Sequence, residues 1–227
     1  MLFDLINSGF DKQLLIQLLL SIPVILFALT IHEFSHGFIA YKLGDPTAKA
    51  FGRLTLNPIK HLDPIGALLM LIGGFGWAKP VPINTRYFKN AKWGMALSAL
   101  AGPVSNFVLS FVSYIIYYLL ASKLPWHTFS DGVYNLLFAV VMLFAISATM
   151  NLSLAIFNFI PIPPLDGSRV LFAFLPGRIY FAVMRYEQII MGLLMAAIVF
   201  GGFSSGISIV TGFVLQGFDK IATLVFG

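Results

Sequence analysis

Cysteine is absent from the 227 residues. That removes disulfide scaffolds, thiolate zinc sites and cysteine nucleophiles together, leaving His, Asp, Glu and Ser for any chemistry. Charge is scarce as well: 10% of the residues are Asp, Glu, Lys or Arg, against about a quarter in soluble domains. Glutamate occurs only at Glu33 and Glu187, beside seven aspartates. A chain so poor in charge, 59% apolar and with a mean hydropathy of +0.90, cannot cover a water-facing surface. It is expected to be an integral, multi-pass, all-α membrane protein whose surroundings are the lipid bilayer. The net charge of +5 reads as orientation in the membrane, because basic residues there record topology, so no nucleic-acid partner is expected.

The long uncharged runs set the expected helices. Residues 13–31 carry no formal charge and supply most of a spanning helix. The run is too long for a signal-peptide core and has no basic leader, so it is expected to stay in the mature protein. Its helical pattern should continue to Lys42 or Leu43, where Gly44, Asp45 and Pro46 form a stop signal. Further uncharged runs cover 93–122, 132–165 and 188–218, the last long enough for a break at Gly201 and Gly202. Five or six transmembrane helices are expected. There is no internal repeat, so residues 1–227 are read as one membrane domain, with a catalytic core at about 13–175 and C-terminal helices at about 178–227.

Residues 52–90 differ in character, with Gly73, Gly74, Gly76, Pro80 and Pro82. The apolar piece 65–75 is too short to span, and 77–84 reads as extended backbone. A re-entrant or membrane-edge β-hairpin segment is expected, and such backbone survives at membrane depth only beside protein or a wet cavity. Eight of the 14 basic residues (Lys42, Lys49, Arg53, Lys60, Lys79, Arg86, Lys89 and Lys92) lie between positions 37 and 92, whereas the loop after Ser122 offers only Lys123 and Asp131. The positive-inside rule makes the first region cytoplasmic and the second external, with Arg169, Arg178 and Arg185 marking the next cytoplasmic crossing. This orientation, in a cell membrane, leaves the N-terminus external.

His32-Glu33-Phe34-Ser35-His36 is a complete H-E-x-x-H motif. Histidines at i and i+4 share one helical face and can bind one metal ion, with the intervening Glu beside the ion as a base for water. Three titratable groups at the end of an apolar helix are costly without a partner that neutralises or coordinates them. Eighteen steps from Leu14 to His32 at about 1.5 Å each put the site roughly 27 Å along the helix, towards the cytoplasmic leaflet.

Two histidines need at least one further protein ligand. The metzincin extension would require His at position 42 and Gly at 39, which are Lys42 and Ile39. Asp166 is the best candidate, ending a long uncharged run behind Pro161, Pro163 and Pro164, prolines that interrupt a helix and free backbone carbonyls. Its competing reading is an N-cap for a helix over 168–174.

With these residues assembled, the sequence resembles the site-2 protease family of intramembrane zinc metalloproteases, peptidase family M50. The resemblance rests on His32 to His36, on Gly102-Pro103-Val104-Ser105-Asn106 as a G-P-x-x-N pattern, and on the proline-rich approach to Leu165-Asp166-Gly167. Gly52 to Pro58, His61 to Pro64 and Pro80-Val81-Pro82 are also similar, so the likeness covers roughly positions 25–175. It implies one zinc ion held by His32, His36 and Asp166, Glu33 as catalytic acid/base, and a hairpin region that engages substrate. Larger members carry a PDZ or CBS domain, and none is expected here.

The mechanism so implied is hydrolysis of peptide bonds in or near transmembrane segments, with single-span membrane proteins as substrates. Zinc activates water and polarises the carbonyl, while Glu33 takes the proton and passes it to the leaving amine. A substrate helix must first unwind, because its carbonyls are held in i to i−4 bonds, and edge backbone in 77–84 could hold the unwound strand by β-addition. Asn106 and Asn158 are candidate donors to the oxyanion or the substrate backbone, with interhelical hydrogen bonding as the plain alternative.

His61 and Asp63 are read as turn and cap residues in preference to a second metal site. The G-x-S-x-G at 202–206 lacks the strand-to-helix setting of a serine nucleophile and reads as a helix break. His127 lies beside Trp126 in an external loop, at an interfacial aromatic anchor. The alternative from another class is a membrane metal-ion transporter using His32, Glu33, His36 and Asp166 as a transit site. A transporter should show related halves or a second polar constellation along a path, and the sequence offers neither.

Overall fold

The computed structural model describes residues 12–66 and 78–227. In chain order its helices are α1 (Lys12–Lys42), α2 (Thr47–Ala50), α3 (Ala91–Lys123), α4 (Asp131–Phe159), α5 (Asp166–Phe174), α6 (Gly177–Met184), α7 (Glu187–Val199) and α8 (Ser204–Phe226). Four of them, α1, α3, α4 and α8, are long and apolar enough to cross a membrane.

The ends follow local chemistry. Gly44, at φ 107, takes the left-handed conformation that ends α1. Asn90 caps α3, its side chain accepting from Lys92 N and Trp93 N. α4 stops just ahead of Pro161, Pro163 and Pro164, residues that cannot continue it.

Helix α3 is central and packs against α1, α4, α5 and α8. Its interfaces are made of small and polar residues: Ala96, Ala99, Ser98, Asn106 and Ser110 are buried, as are Ala28 of α1 and Ala148, Asn151 and Ala155 of α4. Small residues let backbones approach closely, and hydrogen bonds replace the hydrophobic drive that lipid does not supply. Large apolar side chains point outward, with Phe213 75% and Leu224 87% exposed. Polar groups inside and bare hydrocarbon outside is the arrangement a bilayer stabilises.

The pairing of helices fixes their directions. Asn106 meets Asn151, Ser110 meets Ala148 O and Ser113 meets Ser147, so α3 and α4 are antiparallel. Phe218 packs on Phe107 and Phe111 while Thr223 meets Tyr118, so α8 runs parallel to α3. Phe203, ahead of α8, packs on Phe157 near the end of α4. Lys92 Nζ donates to Leu175 O and Trp93 packs on Phe174, at the start of α3. The start of α3 and the end of α4 lie at the same end of the bundle. The α6–α7 pair, bent by 61°, therefore leaves and returns at one end.

The expected break is present, with Gly201 at φ 76 between α7 and α8. The expectation of five or six spanning helices meets four, or five only if the bent pair counts as one. Composition could not separate a crossing from a return, because both are apolar. Of the expected hairpin segment, residues 67–77 lie outside the described residues. Among the described residues there is no strand, only an antiparallel bridge between Leu62 and Ala78, with Lys79 N donating to His61 O at 2.9 Å.

Candidate active site

His32, Glu33 and His36 sit in the last third of α1, all buried. The helix places both imidazoles on the face turned to α3 and α5, with ring centroids 4.5 Å apart. Asp166 arrives on the first turn of α5, after the proline-broken end of α4. The residue ahead of that helix is Leu165, and no side chain caps it. The Asp166 carboxylate instead turns to the histidines: Oδ2 is 3.1 Å from His32 Nε2 and 3.2 Å from His36 Nε2.

Among the described residues these three form the group that could hold a metal ion, their donor atoms all within 4.8 Å of one another. Their spacing fits a metal, because two donors at about 2.0–2.1 Å from a tetrahedral zinc stand roughly 3.3 Å apart. The far sides of the rings fit too. His32 Nδ1 is 3.0 Å from Asn106 Oδ1, and His36 Nδ1 is 2.7 Å from Ser98 O. Both partners accept, so each imidazole carries a hydrogen on Nδ1, and Nε2 is the atom each ring would offer to a metal.

Glu33 also reaches the extended segment 78–84. Its Oε2 accepts from Val81 N at 2.8 Å. The segment is tied on both sides: Arg53 Nη2 donates to Lys79 O, and Asn84 N donates to Asp45 Oδ2. Asp45 is fully buried just past α1 and also accepts from the Thr47 backbone and hydroxyl. Gly37 lets the strap lie close, since a Cβ there would meet Val81 Cγ1 at 3.0 Å. The N–H groups of Lys79, Val81 and Asn84 are thus engaged, and Pro80 and Pro82 have none.

Asn106 is fully buried beside His32, whereas Asn158 is half-buried and donates back to Leu154 O at 3.0 Å, one turn earlier in α4. The other sequence signals take ordinary roles. Asp63 accepts from Ile65 N and Gly66 N, and His61 Nε2 pairs with Thr55 O. Ser204 Oγ donates to Gly201 O, and His127 is exposed in the turn where Trp126 packs on Tyr134.

Sequence reasoning missed Ser98, Asn151, Val81 and the task of Gly102. A Cβ on Gly102 would lie 2.4 Å from His36 Cε1, 2.5 Å from His36 Nε2 and 2.7 Å from His32 Cε1. One signal pointed to it. A Gly-Pro pair inside a long helix costs about 1 and 3 kcal/mol in propensity, which requires a packing reason.

Residues 134–201 match the model of a family described as Peptidase family M50. "Putative zinc metalloprotease YwhC" of Bacillus subtilis is 42% identical over 166 residues, covering 72% of this chain and 73% of that protein. The chain belongs to peptidase family M50. The family match contains Asp166, and the YwhC match is too long to be confined to it. "Putative zinc metalloprotease Rip2" of Mycobacterium tuberculosis is 32% identical over 148 residues, and that of Mycolicibacterium smegmatis 29% over 147. Each covers 63% of this M50 chain and 52% of the relative, so the chain spans about half the length of the Rip2 proteins. No solved structure gives a significant match to it.

Proposed function

We propose that this M50 chain is an intramembrane zinc metalloprotease that cleaves peptide bonds in or near the transmembrane segments of single-span membrane proteins. The observation that carries the reading is the convergence of His32 Nε2, His36 Nε2 and Asp166 Oδ2, with Glu33 one residue along the same helix. His32, His36 and Asp166 would hold one zinc ion per chain. Bound there, zinc supplies the Lewis acidity that makes water nucleophilic near neutral pH and polarises a scissile carbonyl.

The chain's own residues do the rest. Glu33 accepts the proton of the attacking water and returns it to the leaving amine. Val81 N–H holds the carboxylate by Oε2, so the base is aimed before substrate arrives. Asp45 and Arg53 anchor the strap that carries Val81. A substrate helix unwinds beside it, and pairing along the strap draws mainly on carbonyl groups, because the N–H groups at Lys79, Val81 and Asn84 are engaged.

In the bilayer, four helices cross and the α6–α7 pair is re-entrant or lies at the membrane edge. Residues 42–92 and 169–185 face the cytoplasm, 123–131 face outside, and α8 ends on the external side because it is parallel to α3. The site lies towards the cytoplasmic leaflet of the cell membrane. Metal transit would call for a second cluster along a path, and among the described residues a single one is found.

The deciding experiment is cleavage of single-span substrates in detergent by wild type and Glu33→Gln, with zinc measured on both. Lost cleavage with retained zinc is expected, since glutamine keeps the shape but accepts no proton. Retained cleavage would remove Glu33 from the mechanism, and lost zinc would make it a ligand.

A further inference from the structure

The polar contacts behind His32 form a chain that crosses three helices. Asn151 Nδ2 in α4 lies 2.9 Å from Ser147 O, a backbone carbonyl that can only accept. This fixes the orientation of the Asn151 amide, so its Oδ1 faces Asn106 and must accept. Asn106 therefore turns its Nδ2 to Asn151, at 3.1 Å, with Ala28 O of α1 a second acceptor at 3.5 Å. Its Oδ1 is left for His32 Nδ1, at 3.0 Å. Neither amide can flip without setting donor against donor or acceptor against acceptor. Asn106 and Asn151 are both fully buried, where a mismatched polar group has no water to turn to.

We infer that Asn106 is a positioning residue for metal binding, locked by Asn151 so that His32 is held as the Nδ1–H tautomer with Nε2 presented to the ion. This rests on the zinc reading of the site and departs from a role for Asn106 on the oxyanion, because both ends of its amide are already engaged. His36 has the same support from Ser98 O, a main-chain group that side-chain substitution cannot delete. The His32 support is a side chain, so it can be tested by replacement.

The test is zinc affinity, measured by competition with a chelator on the purified full chain in detergent, for wild type, Asn106→Leu, Asn106→Asp and Asn151→Leu. Loss of an outer partner of a metal-bound imidazole weakens binding about 10–100-fold, and that is expected for Asn106→Leu. Asn106→Asp keeps an acceptor for His32 Nδ1–H while setting its other oxygen against Asn151 Oδ1, so it should lose some affinity but less than the roughly tenfold that marks loss of the outer partner. Asn151→Leu frees the amide without removing it and should give a smaller loss than Asn106→Leu. Wild-type affinity in Asn106→Leu would overturn the inference, as would an Asn106→Asp variant tenfold or more weaker than wild type. The second criterion holds even if Asn106→Leu does not fold. A wild-type chain that binds no zinc would be a separate result, refuting the metal reading itself.

Discussion

Replacing Gly102 with alanine adds one methyl group at the point where α3 touches both candidate zinc-binding histidines. Carbon atoms in contact settle at about 3.5–4.0 Å, whereas the new Cβ would stand 2.4 Å from His36 Cε1, 2.5 Å from His36 Nε2 and 2.7 Å from His32 Cε1. The overlap is roughly 1 Å against two rings that are both buried and both tied at Nδ1. Either α3 backs away, which opens its tight seam with α1, or the imidazoles rotate and leave Ser98 O and Asn106. Overpacking of this kind costs about 1–3 kcal/mol, and metal ligands tolerate only about 0.2 Å of misplacement. Gly102→Ala is therefore expected to lower zinc affinity by about 100-fold, the upper end for a disturbed ligand environment. Chelator competition on the purified chain measures it. Gly217→Ala is the control, because a Cβ there meets nothing within 4 Å, and it should bind zinc as wild type does while gaining up to about 1 kcal/mol of helix propensity. Zinc affinity in Gly102→Ala within about threefold of wild type, well short of that expected loss, would refute the reasoning.

Asp166→Ser separates a ligand from a cap: serine caps a helix nearly as well as Asp but is a poor zinc ligand, so metal content and cleavage should both be lost, and full occupancy would return Asp166 to a structural role. His36→Ala should lose zinc and activity together, in contrast to Glu33→Gln, and total metal analysis distinguishes the two. Single cysteines placed at Lys60, Lys123 and Val225 can be labelled without background, since the chain has none of its own; positions 123 and 225 should react from outside and 60 from the cytoplasm. Labelling of 225 from the cytoplasm would mean that α6 and α7 cross the membrane.

Local rules made much of this protein legible from sequence. The i, i+4 spacing puts His32 and His36 on one face of any helix, uncharged runs mark the first two thirds of α1 and all but the ends of α3 and α4, and the stop at Gly44 and the break at Gly201 follow from backbone freedom that only glycine offers. The pairing of Asp166 with the histidines was a resemblance until the fold brought its carboxylate to within 3.2 Å of both rings, because no local rule connects positions 130 residues apart. The same holds for the hydrogen bonds of Asn106 and Asn151, the Val81 amide on Glu33 and the empty face of Gly102, each a contact between different elements. Helix direction was equally out of reach. Hydropathy reports that a segment is apolar, and a segment that returns to its own side is as apolar as one that crosses. Only the packing of Phe203 on Phe157 and of Phe174 on Trp93 shows both ends of the α6–α7 pair at one end of the bundle.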